Sequence, residues 1–323
     1  MRYQEILARF PERTLLVLGD LMVDEYIWGS VSRLSPEAPV PVVEVRAESV
    51  RLGGAGNVAA NIRSLGGSAM IVGVVGNDPP GERLIDQLEA AGIKSDGVVV
   101  DRTRPTTIKT RVVAGSQQIV RFDRESVLDL SKEVTERLME LAAERLQDAD
   151  GLIISDYAKG VVSKRAVRRL LLLAKRRKKI IVVDPKVHNL PLYKGATVVT
   201  PNHHDASAFA RLPMRGQQDL LAAGRQLFRR LEVRAVLVTR GDQGMSLFED
   251  GRVTHIPAVA KEVYDVTGAG DTVGAALGLA LTSGASLKEA AVIANHAAGV
   301  VVSKAGTATV SRQELLDALK ERV

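Results

Sequence analysis

Short, wholly apolar runs recur along the chain: TLLVLGD (14–20), AMIVGVVG (69–76), GLIISD (151–156), KIIVVDP (179–185), ATVVTPN (196–202) and AVLVTRG (235–241). They do not alternate polar with apolar residues, so they predict strands buried on both faces of a largely parallel sheet. Segments between them, such as VTERLMELAAERLQ and GQQDLLAAGRQLFRRL, repeat leucine at helical spacing. Together they predict an α/β fold with a doubly wound sheet flanked by helices. Two regions break the alternation. Residues 33–50 hold three prolines and a short alternating strand, and residues 104–123 alternate around an Ala-Gly turn. Both predict antiparallel ribbon outside the helix-covered sheet. The simplest placement is a small β-lid on one domain spanning residues 1–323.

Composition removes several classes of function. The chain has no cysteine, which excludes disulfides, thiolate catalysis and cysteine-based zinc sites. The opening MRYQEILARF places charges where a signal peptide needs an apolar core. No apolar run approaches the roughly 18 residues of a membrane span. These features predict a cytoplasmic protein that binds no membrane. The net charge of +6 suits an anionic partner, but aromatic residues at 3% are too few for a nucleic-acid stacking platform. The dense run AKRRKK (174–179) ends a helical pattern. It reads as a solvated helix end that complements the macrodipole, with a functional basic patch as the alternative.

Polar residues close several of the predicted strands: Asp20, Asp156, Asp184, Asn202 and Thr239. Ligands of open α/β sheets bind beyond those strand ends. The glycines limit which ligand. GNDPPG (76–81) is followed by Glu82 rather than lysine, so it is no P-loop, and Gly268, Gly270 and Gly274 miss dinucleotide spacing by one residue. What remains is the glycine-rich opening of a helix in DVTGAGDTVGAALGLAL (265–281), where close-set backbone amides suit an anion. Asp271 there is either an ordinary helix cap or a base that deprotonates a hydroxyl attacking phosphorus. The residues alone leave both open.

GGAGNVAANI (53–62) and DVTGAGDTVGAAL (265–277) resemble the two signature motifs of the ribokinase-like (PfkB) carbohydrate kinases. SRLSPEAPVPVVEV, IISDYAKG, DPK, TPN, VTRGDQGMSLF, EVYDVTGAGDTV and AGVVVSKAGTATVS are similar, more narrowly, to members acting on D-glycero-β-D-manno-heptose 7-phosphate. The resemblance runs nearly end to end. It implies ATP-dependent phosphorylation of that sugar at C1, with Mg²⁺ on the nucleotide phosphates. Some relatives carry a fused nucleotidyltransferase domain, an activity not expected of this chain.

The resemblance also assigns residues. Asp271 is the expected base, and Gly268, Ala269 and Gly270 the expected anion loop. Asp24, Gly53, Gly54 and Asn57 are expected at the sugar. Lys109, Arg111 and Arg121 on the lid, with Lys159 in DYAKG, are candidates for its distal phosphate. Asn202, Asp205, Thr239, Gly241, Gly244 and Asn295 match nucleotide positions, with Asp205 where relatives usually have glutamate. Asp265, Thr267, Val301, Lys304 and Gly306 match a K⁺ site. His203 and His204 suggest no metal site, since no supporting ligand pattern accompanies them. The alternatives are a kinase for another sugar or sugar phosphate, such as fructose 1- or 6-phosphate, and a non-catalytic sugar or nucleotide sensor. Exposed lid edges predict a homodimer through residues 33–50 and 104–123.

Overall fold

The computed structural model describes residues 2–115, 117–213, 216–260 and 262–320, so Met1, Ser116, Met214, Arg215, Lys261 and residues 321–323 lie outside the described residues. β1 (Thr14–Gly19) sits inside a nine-stranded sheet. β4 (Ser68–Gly76) and β5 (Val98–Asp101) extend it to one side. β8 (Gly151–Ser155), β9 (Ile180–Asp184), β10 (Val198–Val199) and β11 (Ala235–Thr239) extend it to the other, all parallel. β12 (Met245–Glu249) and β13 (Arg252–Ile256) finish that edge antiparallel.

The apolar runs form these strands because each face meets helices. α1 (Arg2–Ala8), α2 (Ala55–Ser64), α3 (Pro79–Ala90), α8 (Ala269–Thr282), α9 (Leu287–Val301) and α10 (Arg312–Lys320) enclose one core with Leu15, Val17, Ile153 and Val182. α4 (Lys132–Arg145), α5 (Lys164–Arg176), α6 (His203–Ala210) and α7 (Gln217–Leu231) enclose the other with Leu16, Leu18, Ile154 and Val183. Successive strand residues thus enter opposite cores, which is why no alternation marks them. One expectation shrinks: ATVVTPN supplies only the two-residue β10, and Asn202 returns as an isolated bridge to Thr239.

The lid is a separate four-stranded sheet, ordered β3 (Pro41–Gly54), β2 (Leu21–Leu34), β6 (Thr107–Ala114) and β7 (Gln117–Arg124). The ribbons expected at 33–50 and 104–123 are there. Its longest pairing was not legible, because LMVDEYIWGSVSRL runs straight on from β1 as one partner of β3.

Candidate active site

β1 received new strands first on one side and then on the other, so a crevice opens beyond the carboxyl ends of β1 and β8. The loop after β8 fills it. Buried Asp20 accepts the amides of Tyr157 (2.8 Å), Lys159 (3.1 Å) and Val161 (3.3 Å). Asp156 accepts the Ala158 amide (2.9 Å) and the Tyr193 hydroxyl (2.7 Å). These strand-end carboxylates anchor the loop. Burial raises Asp20 to about 6, against the pull of its amide bonds.

Asp271 is the third residue of α8, and α8 is capped by the Gly268 backbone with no side-chain cap. The helix-cap reading of Asp271 therefore fails. Its Oδ2 accepts from Asn57 Nδ2 and its Oδ1 from the Tyr157 hydroxyl, each at 2.8 Å. Asn61 orients Asn57 by donating to Asn57 Oδ1 (3.1 Å), and the Thr272 hydroxyl donates to Asn61 (3.0 Å). Gly268 serves this arrangement twice over. Its φ is 79°, and a Cβ would stand 2.5 Å from Asn57 Nδ2. Asp271 is 2% exposed. Burial pushes its carboxyl up to about 8, the Asn57 hydrogen bond opposes this, the nearby Asp184 charge reinforces it, and the Tyr157 hydrogen bond opposes it again.

Asp184 closes β9 beside the anion loop, 3.5 Å from where a Cβ on Gly270 would stand. Burial raises it to about 7, with Lys186 opposing and the Asp205 and Asp156 charges adding. The Lys186 ammonium lies 5.5 Å from the centre of the Tyr157 ring.

A cavity of about 500 Å³ adjoins the start of α8. Ala269 and Gly270 line it together with Thr239, Gly241, Gly244 and Asn295, so four expected nucleotide residues meet the anion loop. Asn295 donates to the Pro257 carbonyl (2.8 Å). Asn202 and Asp205 are not in that lining. Asn202 caps α6 by accepting the Asp205 amide and donates to its carboxylate at 2.9 Å, while its bridge to Thr239 holds the pair beside the cavity. His203 and His204 lie against each other, and no metal-holding cluster of three His, Cys, Asp or Glu occurs among the described residues.

On the lid, the expected cations are all engaged. Arg111 is buried and bonds Asp24 at 2.6 Å, with its guanidinium 5.3 Å from the Tyr26 ring centre. Asp24 is thus an ion-paired strand residue, and a Cβ on Gly53 would stand 2.5 Å from its Oδ2. Gly54, at the start of α2, approaches the Asp20 carbonyl just as closely. Lys109 contacts Asp123 (2.8 Å) and Glu125 (3.6 Å), Arg121 contacts Asp123 (3.0 Å), and Lys159 reaches the same Glu125. The candidates for the distal phosphate are thus each paired with a carboxylate in this structure. Lys109, Arg121 and Lys159 still outnumber Asp123 and Glu125.

For the expected K⁺ residues, Asp265 accepts the Thr267 amide (2.9 Å) and hydroxyl (2.7 Å) and the Gly306 amide (3.1 Å). Val301 and Lys304 are joined only through a turn, with the Lys304 side chain directed to Thr309 and Glu314. Sequence reasoning missed Tyr157 and Lys186, and named Asp184 only as one strand end of the ligand rim. DYAKG and DPK were the signals, but each drew attention to another residue or to none.

A ribokinase-like α/β sheet bearing this loop-and-helix site defines a phosphotransferase. The chain belongs to the pfkB family of carbohydrate kinases, whose pattern matches residues 13–314. It is similar to bifunctional protein HldE of Geotalea uraniireducens (strain Rf4), 45% identical over 314 residues, which are 97% of this chain and 64% of that protein. To the protein of the same name in Helicobacter acinonychis (strain Sheeba) it is 44% identical, over 94% of this chain and 65% of that one. The chain thus spans less than two thirds of these relatives' length. Among solved structures, Escherichia coli phosphofructokinase-2 in complex with substrates and products superposes with a TM-score of 0.79 at 21% identity, covering 96% of this chain and 99% of that one. Arabidopsis thaliana ribokinase complexed with ribose and ATP gives 0.74 at 20%, covering 95% and 99%. At such identities these two establish the fold.

Proposed function

We propose that the enzyme transfers the γ-phosphoryl group of ATP to the C1 hydroxyl of D-glycero-D-manno-heptose 7-phosphate, giving the 1,7-bisphosphate. The observation that carries the reaction is the placement of Asp271. It is buried in the first turn of a helix, beside a large cavity, with each oxygen held by a single donor. A carboxylate oxygen so held keeps a lone pair for a third donor. The sugar hydroxyl is that donor and loses its proton to Asp271 as it attacks phosphorus. The Ala269 amide is taken by the Val266 carbonyl, and the following first-turn amides of α8, which have no i−4 partner within the helix, meet the charge on the transferred group.

Magnesium, when bound with the nucleotide, partly neutralises the phosphates. The donor chemistry fits: Asp184 and Asp205 offer hard oxygens close enough for one charge to raise the other's affinity for a proton. Asp184 and Asp205 would hold the ion together with the nucleotide phosphates, since no third such ligand joins them among the described residues. Potassium would take the Asp265, Thr267 and Gly306 region. Lys159, Lys109 and Arg121 hold the distal phosphate of the sugar by exchanging Asp123 and Glu125 for it. The choice of heptose rests on SRLSPEAPVPVVEV, DYAKG and AGVVVSKAGTATVS, and on the 45% identity over nearly the whole chain.

A coupled ADP-release assay tests the substrate, with heptose 7-phosphate beside fructose 6-phosphate, fructose 1-phosphate and ribose. Turnover confined to the heptose is expected. Faster turnover on another sugar would overturn the substrate and leave the chemistry.

A further inference from the structure

We infer that the exposed face of α5 is a docking surface for an anionic lipid bilayer, against the expectation of no membrane binding, which rested on the lack of a spanning segment. Residues 164–179 carry nine lysines and arginines and no acidic residue. The whole chain is only +6, so the protein outside this segment is net negative. The positive charge is therefore concentrated in one place.

α5 buries Ala166, Val167, Leu170, Leu171 and Ala174 against the sheet. At about 100° per residue, Lys164, Arg165, Arg168, Arg169, Lys175 and Arg176 share a single outward arc of roughly 140°. Leu172 lies at its midline and is 59% exposed. None of the six cations forms an ion pair with a described residue, and only Lys175 reaches a carbonyl, that of Lys194 at 3.3 Å. The sequence reading of a solvated, dipole-compensating helix end covers Lys175 and Arg176. It does not cover Lys164 and Arg165, which stand at the positive pole of the helix. Lys164 with Arg168, and Arg165 with Arg169, are like charges four residues apart, which weakens an isolated helix. Helix stability does not explain the pattern, whereas an external anion does.

The surface favours a bilayer over nucleic acid. α5 packs beside α4 and the turn at Val187–Tyr193, within the helical layer. So placed, it does not project into a DNA groove about 12 Å wide. The face has no aromatic side chain to stack on a base. Leu172 finds no counterpart on a phosphodiester backbone, but the interfacial region of a bilayer accepts it. Clusters of four to eight cations on a helix face attract anionic headgroups. α5 also covers the sheet face opposite α8 and α9, which carry Asp271 and Asn295, so docking leaves the nucleotide cavity open.

The test is co-sedimentation of the full chain with phosphatidylcholine vesicles, with and without phosphatidylglycerol. Retention only by the anionic vesicles, declining as salt rises, is expected. The double variant Arg168→Glu/Arg169→Glu should bind about twentyfold more weakly or worse, since each cation near such a surface contributes about a fivefold factor. Leu172→Ser should weaken binding without changing its salt dependence. Unchanged circular dichroism and unchanged ADP release in both variants separate docking from unfolding. Equal retention of the double variant, no retention at low salt, or tighter binding to a DNA duplex than to the anionic vesicles would overturn the proposal.

Discussion

At the scale of single residues, the site turns on how Asp271 is held. If Asp271 is the base proposed above, its carboxyl, raised to about 8 chiefly by burial, is protonated at lower pH and cannot take the proton. kcat/KM of the enzyme should therefore fall as pH drops through that region. Tyr157→Phe removes a hydrogen bond that favours the ionised form, so the acidic limb should move to higher pH. A pH profile of kcat/KM checks this, and a limb that stays put would assign Tyr157 to packing alone. Gly268→Ala forces a left-handed backbone on a residue with a Cβ and drives that Cβ at Asn57. A loss of about 1–2 kcal/mol from the backbone alone should appear in thermal melts, together with a lower kcat. Asp271 and Asn57 were reached through the resemblance of their glycine-rich motifs to the family's, since the residues alone left Asp271 open between helix cap and base. Tyr157 was not, because its partner lies 114 positions along the chain and no local spacing encodes that contact.

Elements of secondary structure account for the rest of the site. The main strands were legible since burial on both faces leaves long apolar runs, and their polar ends marked the rim. β10 was overread because Ala196, Thr197 and Thr200 are buried without being strand. β2 was underread because Met22, Asp24 and Tyr26 on one face and Val23 on the other are all buried, which erases the polar–apolar rhythm. The lid cations were legible as residue types, but their carboxylate partners, Asp123 and Glu125, are contributed by β7 and the loop after it. Pairing changes the expected behaviour of variants. Lys159→Ala should raise KM for the sugar phosphate about tenfold or more through loss of a charge-assisted bond, leaving KM for ATP unchanged. Steady-state kinetics with each substrate varied in turn checks the split. Equal effects on both would place Lys159 outside the sugar-phosphate site.

For the molecule as a whole, the lid presents an unfinished surface. β3 and β7 are sheet edges, and β7 is exposed along nearly its full length. Val31, Leu34, Val45, Val120 and Phe122 stand 40–64% exposed on three strands of that sheet, β2, β3 and β7. We propose that two copies pair through this sheet, which would cover those edges. Light scattering should give twice the chain mass at micromolar concentration, and Phe122→Lys should shift it towards the monomer. A monomeric wild type would count against the pairing. The central claim concerns the base, and single-turnover phosphoryl transfer to heptose 7-phosphate tests it most directly, with wild type and Asp271→Asn compared at equal nucleotide occupancy. A rate lowered by about 10²–10⁴ with ATP affinity retained is the predicted result. Transfer by Asp271→Asn at close to the wild-type rate would contradict the account.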